Sequence, residues 1–253
     1  MAARILSILG PVYTGSTMLS GLLHGLPGVM SIGEIHHYYT GQFGCSLCGP
    51  SKKCPVLSLL STKKLGDGKR LYEQLAEVGS ELGFDIVTNS DKSIDTVMSH
   101  VPAGVADGII MFKSPEAYIA SFIRHGQATS EGRDILESIP KWFQYIRAWS
   151  RSHMRRVAYV EYEQLAGQPE ETFTRLCAAL DLPKPALPLV FPPEKPWHNV
   201  AGNTDAYYGV SHGPRSIYLD DRWKTELPRE LQAHIATFEP VQRLLAELRR
   251  LAV

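Results

Sequence analysis

Residues Gly10 to Thr17 read GPVYTGST. Two glycines separated by four residues and followed by small hydroxyl residues make a loop that can close around a phosphate. In a nucleoside-triphosphatase loop the second glycine is followed by a lysine that reaches the β- and γ-phosphates. Here both glycines and Thr17 are in register, and Ser16 occupies the lysine position. That substitution weighs against ATP or GTP hydrolysis more than against phosphate binding. No strand-like run ends in an aspartate placed to hold magnesium, as those enzymes require. A single phosphate held by backbone N–H groups, hydroxyls and the positive end of a helix needs no lysine. For this stretch taken alone, a plain strand-to-helix turn is the alternative.

Other groups with chemical potential follow. Glu34, His36 and His37 lie in GEIHH, and a carboxylate or an imidazole can accept a proton near neutral pH. Lys113 precedes Ser114-Pro115, a helix start with serine as cap and proline in the first turn. Ser121 then falls two turns along that helix, on the face of Ala117. A cation at a strand end and a hydroxyl on the next helix can clamp a phosphate monoester. Cys45, Cys48 and Cys54 form a Cys-x2-Cys-x5-Cys array. It stops short of the two paired knuckles of a strong zinc signal, so metal binding, a disulfide and unlinked thiols all stay open and no metal ligand is assigned. A fourth ligand could come from His36, His37 or elsewhere. Cys177 sits on an apolar helix face as plain core. His198 reads as structural or cofactor-adjacent rather than as a base.

The elements that must carry these groups alternate. Strand-like runs cover Ile5–Leu9, Asp85–Thr88, Gly108–Phe112 and Val157–Val160, each nearly continuous in apolar residues, as buried parallel strands are. Between them run helical stripes: Leu19, Leu22, Leu23 and Leu26; Leu71, Leu75, Val78 and Leu82 with Gly83 to end them; Phe143, Ile146 and Trp149; Phe173, Leu176, Cys177 and Leu180 after Pro169. Val241, Leu244, Leu245, Leu248 and Leu251 close the chain with a helix. The expectation is an α/β fold, a central parallel β-sheet flanked by helices. The proline-rich stretch 182–196 reads as an extended surface segment leading to a C-terminal lobe that closes over the site. Residues 40–68 read as a long irregular loop of functional interest. One domain spanning 1–253 is expected.

The 26 basic and 26 acidic side chains cancel. A nucleic-acid partner, which would leave a basic excess, is not expected. No run approaches the ~20 apolar residues of a membrane helix, and no secretory leader is evident, so a cytoplasmic protein without a membrane partner is expected.

The stretch GPVYTGSTMLSGLLHGLPGVMSIGE resembles the 5′-phosphosulfate loop of the bacterial-type sulfotransferases that use 3′-phosphoadenosine-5′-phosphosulfate (PAPS). Thr14, Gly15, Ser16 and Thr17 match that family's loop, and Gly33-Glu34 match its Gly-Glu pair. Tyr13 stands where a basic residue is frequent. MFKSPEAYIASFIRHG resembles the family's 3′-phosphate segment, with Lys113 in place of arginine and Ser121 on the motif serine. VTNSDKSIDTV resembles the segment bearing a lysine near the sulfuryl group, here Lys92. VAYVEYEQLAGQPEETFTRLCAALDLP resembles the Tyr-Glu-x-Leu region. WHNVAGNTDAYYG and YLDDRWKTELP resemble the C-terminal Gly-Asn and Asp-x-x-Trp segments. The usual arginine after Gly202-Asn203 is missing, and Arg215, Arg222 or Lys224 are its possible replacements.

The resemblance implies a P-loop-NTPase-like sulfotransferase fold. It also implies sulfuryl transfer from PAPS to a hydroxyl or amine of a small-molecule or carbohydrate acceptor, releasing 3′,5′-adenosine bisphosphate (PAP). Tyr13, Thr14, Gly15, Ser16 and Thr17 would line the 5′-phosphate, Lys113 and Ser121 the 3′-phosphate, with Gly202 and Asn203 beside the cofactor. Lys92 would stabilise the leaving oxygen, and no metal would be required. Glu34 is the first candidate base, with His36 and His37 as rivals. Tyr38, Tyr39, Phe43, Tyr207, Tyr208 and Tyr218 would lie in loops flanking the site. A P-loop kinase or NTPase and a non-catalytic PAP-binding homologue are the competing readings.

Overall fold

The computed structural model describes residues 2–39, 41, 44–49, 54–63, 71–92, 103–126, 132–191, 195–202, 217 and 219–253. Five strands, β1 (Arg4–Leu9), β2 (Val29–Ser31), β3 (Ile86–Asn89), β4 (Asp107–Phe112) and β5 (Val157–Glu161), form one sheet in the order β2-β3-β1-β4-β5. Every neighbouring pair is parallel. The four strands expected from sequence are present within one or two residues of their expected bounds. The fifth, β2, is a three-residue edge strand, too short to carry a periodic signal.

Parallel strands need crossovers, and helices supply them. The described helices are α1 (Ser16–Gly25), α2 (His36–Tyr39), α3 (Pro55–Thr62), α4 (Leu71–Glu81), α5 (Pro115–Arg124), α6 (Arg133–His153), α7 (Tyr162–Gly167), α8 (Pro169–Ala179), α9 (Trp223–Glu226), α10 (Arg229–Thr237) and α11 (Glu239–Leu251). Side chains alternate across each strand, so each strand feeds two cores. Ile5, Leu9, Ile110 and Phe112 pack with residues of α3, α4, α6 and α11 on one face. Leu6, Ile8, Ile109 and Met111 pack with α1, α7 and α8 on the other. This double burial explains the near-continuous apolar strands.

Three expectations are corrected. The stretch read as a loop over 40–68 contains α3, entered through Cys54 with Pro55 in its first turn and burying Val56, Leu57 and Leu60. Its flanking Gly, Ser and Lys residues mask the stripe in the sequence. Tyr38 and Tyr39 belong to α2 rather than a loop, and the Tyr38 hydroxyl donates to the Leu57 carbonyl. The C-terminal helices are not a separate closing lobe. Helix α11 packs on α6 and β5, and Val253 N–H donates to the Tyr159 carbonyl at 3.0 Å. Leu219–Glu226 lies against α5, where Arg124 pairs with Asp220 and Glu226, and residues 203–216 and 218 of the expected lobe lie outside the described residues. The described residues of the proline-rich stretch form no helix and bend at Leu187–Pro188, and a Cβ on Gly21 of α1 would collide with Phe191. No described helix is long and apolar enough to cross a membrane.

Candidate active site

Each strand delivers one piece of the site from its carboxyl end, where ligands bind in open α/β sheets. After β1 comes the loop to α1. Helix α1 starts at Ser16, as the sequence indicates, and carries no acidic residue in its first turn to offset the positive end of its dipole. Gly15 precedes it with φ 88, a left-handed conformation natural to glycine. A Cβ there would also lie 2.5 Å from the ring of Tyr162, the residue that follows β5. Thr14 is buried, and its hydroxyl donates to the Pro11 carbonyl at 2.8 Å. Thr14 therefore uses its side chain to shape the loop. Tyr13 adopts a left-handed φ of 67. Its ring stacks on His125 at 4.5 Å and meets Phe122 edge-on, so it ties the loop to the end of α5.

After β3 comes Lys92. Its ammonium donates to the Ser16 hydroxyl at the head of α1 and to the Ser90 carbonyl at 2.8 Å. It also stands 3.8 Å from Glu34. Burial pushes the Lys92 pKa down, and Glu34 and Asp91 counteract this. Glu34 follows β2. Its N–H donates to the Val200 carbonyl, and its second carboxylate oxygen lies 3.3 Å from His37 Nε2. Gly33 is obligatory beside it, because a Cβ would fall 2.1 Å from Asn199 Oδ1 and 2.6 Å from the Val200 carbonyl. His36 is held twice by Asp91, which accepts from its backbone N–H at 3.1 Å and contacts Nδ1 at 2.6 Å. The other Asp91 oxygen accepts from the Tyr72 hydroxyl at 2.5 Å. Sequence reasoning missed Asp91 and Tyr72. The polar run NSDKS after β3 was the available signal for Asp91. Tyr72 had none, since it reads as one more core residue of α4.

After β4 comes Lys113. Ser114 caps α5 by accepting from Ala117 N–H, and Ser121 sits one turn beyond Ala117, donating to its carbonyl at 2.8 Å. Lys113 Nζ lies 3.4 Å from Ser121 Oγ and 4.6 Å from the centre of the Tyr162 ring. Burial lowers its pKa as well, opposed by Glu163 and Asp220. Lys113 borders a small cavity together with Pro11 and Thr14 of the Gly10–Thr17 loop and Tyr118, Ile139 and Phe143. The last piece is the segment after Trp197, where a Cβ on Gly202 would lie 3.2 Å from Thr17 Oγ1.

Thus Glu34, His36 and Lys92 share one side of the loop, Lys113 and Ser121 share the other, and Gly202 adjoins Thr17. Asn203, Arg215, Phe43, Tyr207, Tyr208 and Tyr218 lie outside the described residues. Arg222 and Lys224, considered as replacement cations, are engaged by Asp220 and Asp221 on the surface. The Arg222 hydrogen bonds hold the Asp220 carboxyl at about 2. His198 keeps company with Cys45, Cys48 and Cys54.

No protein-family model matches the chain, and no curated protein matches it. Solved structures do. The sulfotransferase domain from the curacin biosynthetic pathway is similar with a TM-score of 0.61 and 19% identity, over 93% of this chain and 96% of that one. The sulfotransferase domain from the Synechococcus PCC 7002 olefin synthase is similar with a TM-score of 0.53 and 19% identity, over 94% and 96%. At this identity the likeness establishes the fold.

Proposed function

We propose that this chain of sulfotransferase fold transfers a sulfuryl group from PAPS to a small-molecule or carbohydrate hydroxyl or amine, releasing PAP. The observation that carries the reading is the pair of lysine–hydroxyl groupings at the strand ends, which this reading takes as two anion sites. One is the loop at the head of α1 with Lys92 bonded to Ser16. The other is Lys113 beside Ser121, and Lys113 borders a small cavity with Pro11 and Thr14 of the first. A donor with a phosphate at each end of a nucleoside needs two such sites. A triphosphate needs a lysine in the loop, and Ser16 replaces it.

In this reading the loop holds the 5′-phosphate through backbone donors, and Thr17 adds a hydroxyl. Lys113 meets the 3′-phosphate. Ser121 turns its hydroxyl proton from Ala117 to that phosphate. The acceptor oxygen or nitrogen attacks sulfur as the bond from sulfur to the bridging phosphate oxygen breaks, and Lys92 stabilises the charge left on that oxygen. Positioning and electrostatics supply the catalysis, and the transfer itself needs no metal. Glu34 accepts the acceptor's proton, poised by Lys92 and His37. The zero net charge weighs against a highly sulfated polymer as acceptor. The names of the curacin and olefin pathways that hold the similar domains fit a small molecule.

The test is thermal shift with PAP, 5′-AMP, NAD and magnesium-ATP. PAP at a hundredfold excess over Kd should stabilise by about 2.7 kcal/mol, which raises Tm by about 5–11 °C in a chain of this size. Lys113→Ala should weaken PAP about 10–100-fold, the loss of a charge-assisted bond, and leave 5′-AMP unchanged. Absence of any PAP response sinks the reading, and a response to magnesium-ATP alone revives a kinase.

The Asp91–His36 pair favours a second reading for the base, because an aspartate on Nδ1 leaves Nε2 as the proton acceptor. Glu34→Gln should lower kcat at saturating substrates by about 100-fold or more, with His36→Gln milder. The reverse order would make His36 the base.

A further inference from the structure

We propose that Cys45, Cys48, Cys54 and His198 hold a structural zinc ion. The three sulfurs lie 3.7, 3.3 and 3.6 Å from His198 Nδ1. All four ligand atoms fall within 4.8 Å of one another. Zinc bonds of about 2.3 Å to sulfur and about 2.0–2.1 Å to nitrogen, directed tetrahedrally, place sulfur and nitrogen about 3.5–3.6 Å apart. The observed edges bracket that value. All three thiols are free, with Cys45 and Cys54 buried. Packing alone offers no reason for three cysteines to surround one ring nitrogen from 144 or more positions away.

The backbone is arranged for the same purpose. After Cys48 the chain folds back so that Gly49 N–H donates to the Cys45 carbonyl at 2.8 Å, closing the Cys-x2-Cys turn. Ser46 N–H donates to the Asn199 carbonyl, and Cys45 bridges to Val200, which fixes His198 beside the turn. Cys54 arrives from the head of α3. Four protein ligands close the coordination shell and leave no position for a substrate, so the ion is structural. Binding releases the thiol protons to solvent, and the metal stays divalent.

The site's reach is what gives it consequence. Val200, two residues past His198, lies parallel to Gly33 and accepts from Glu34 N–H. The ion therefore pins the turn 45–48, the head of α3 at Cys54 and the segment 198–202 to the strand end that presents Glu34. This inference stands on the cysteine and histidine geometry and does not depend on the donor or the reaction.

The test is elemental analysis of protein carrying no histidine tag, purified without chelator. The zinc-to-protein ratio should be near one. A mercurial that caps thiols should release that zinc to a chromogenic chelator. Cobalt(II) in its place should give the visible bands of a tetrahedral site with thiolate charge transfer. Cys54→Ser should lose the ion, whereas Cys177→Ser, in the opposite core, should keep it. Cys54→Ser protein that fails to fold does not decide the matter, because metal content and the cobalt spectrum are read on the unaltered chain. Wild-type protein with no stoichiometric zinc, either as isolated or after refolding with zinc and reductant, would overturn the proposal. So would a native disulfide among the three cysteines in anaerobically prepared protein, or stoichiometric iron in place of zinc.

Discussion

Replacing Lys92 with alanine is expected to slow turnover by about 100–1,000-fold, the cost of removing one preorganised donor from developing charge, while affinity for the intact donor PAPS stays close to that of the unaltered protein. The split follows from where the ammonium sits. Lys92 touches the first residue of α1 through Ser16 and stands 3.8 Å from Glu34, so it lies between the phosphate cradle and the proposed base. Backbone donors and the helix dipole hold a bound phosphate without it. Charge on the leaving oxygen appears only as the sulfur–oxygen bond breaks, and an interaction made only then raises kcat alone. The measurements are kcat at saturating donor and acceptor, and the Kd of PAPS by calorimetry without acceptor. A loss of PAPS affinity with kcat retained would make Lys92 a binding residue and leave the departing oxygen without its stabilising cation. Burial also lowers the Lys92 pKa below its ordinary 10.5. Since lysine is charged only below its pKa, wild-type activity should fall on the alkaline side at a pH below that value. The residual activity of Lys92→Ala should lack that limb.

The largest effect on stability should come from Asp107, at the opposite end of the strands. Its side chain is fully buried, and three arginines converge on it. Arg4 Nε donates at 2.7 Å, Arg155 donates through Nε and Nη2 at 3.0 and 2.8 Å, and Arg156 Nη2 donates at 3.1 Å. These residues stand at or just before the starts of β1, β4 and β5, so one carboxylate fastens three strands. Asp107→Asn leaves like charges facing a neutral amide. The half-exposed Arg155 recovers some hydration, which puts the cost at the lower end for a broken buried pair, about 3 kcal/mol, or a Tm lower by about 6–12 °C. Burial works to raise the Asp107 pKa, but the arginine hydrogen bonds and charges outweigh it and the net shift is downward. A carboxylate with a depressed folded-state pKa contributes stability above its ordinary value of 3.8 and loses it as pH falls through the folded value. The gap between wild type and Asp107→Asn, read by urea titration, should therefore be constant near neutrality and narrow below 3.8. A gap that persists unchanged into acid would mean that charge is not the source.

Much of this molecule can be read locally. The loop from Gly10 to Thr17, the start of α1 at Ser16 and the cap of α5 at Ser114 depend on neighbours a few residues away, and their residue types state them. The pairing of Lys113 with Ser121 also follows from one strand end and two turns of helix. Four strands announce themselves because both faces are buried and their apolar runs are continuous. Edge strand β2 and helix α3 do not, the first for want of length and the second because its stripe is framed by loop-like residues.

The sequence by itself therefore determined the alternation of strand and helix, the glycine-flanked loop after β1, and Glu34, Lys92 and Lys113 as candidate charged groups. Only the tertiary structure decided which of those groups meet. Lys92 reaches Ser16 and Glu34 because the order β2-β3-β1 sets three strand ends side by side. Asp91 becomes the partner of His36 for the same reason. His198 joins the cysteines only because the chain returns along Gly33 after crossing α1. Periodicity and turn chemistry encode contacts three or four residues apart. A contact between residue 54 and residue 198 depends on the packing of every crossover between them, and no local pattern records it.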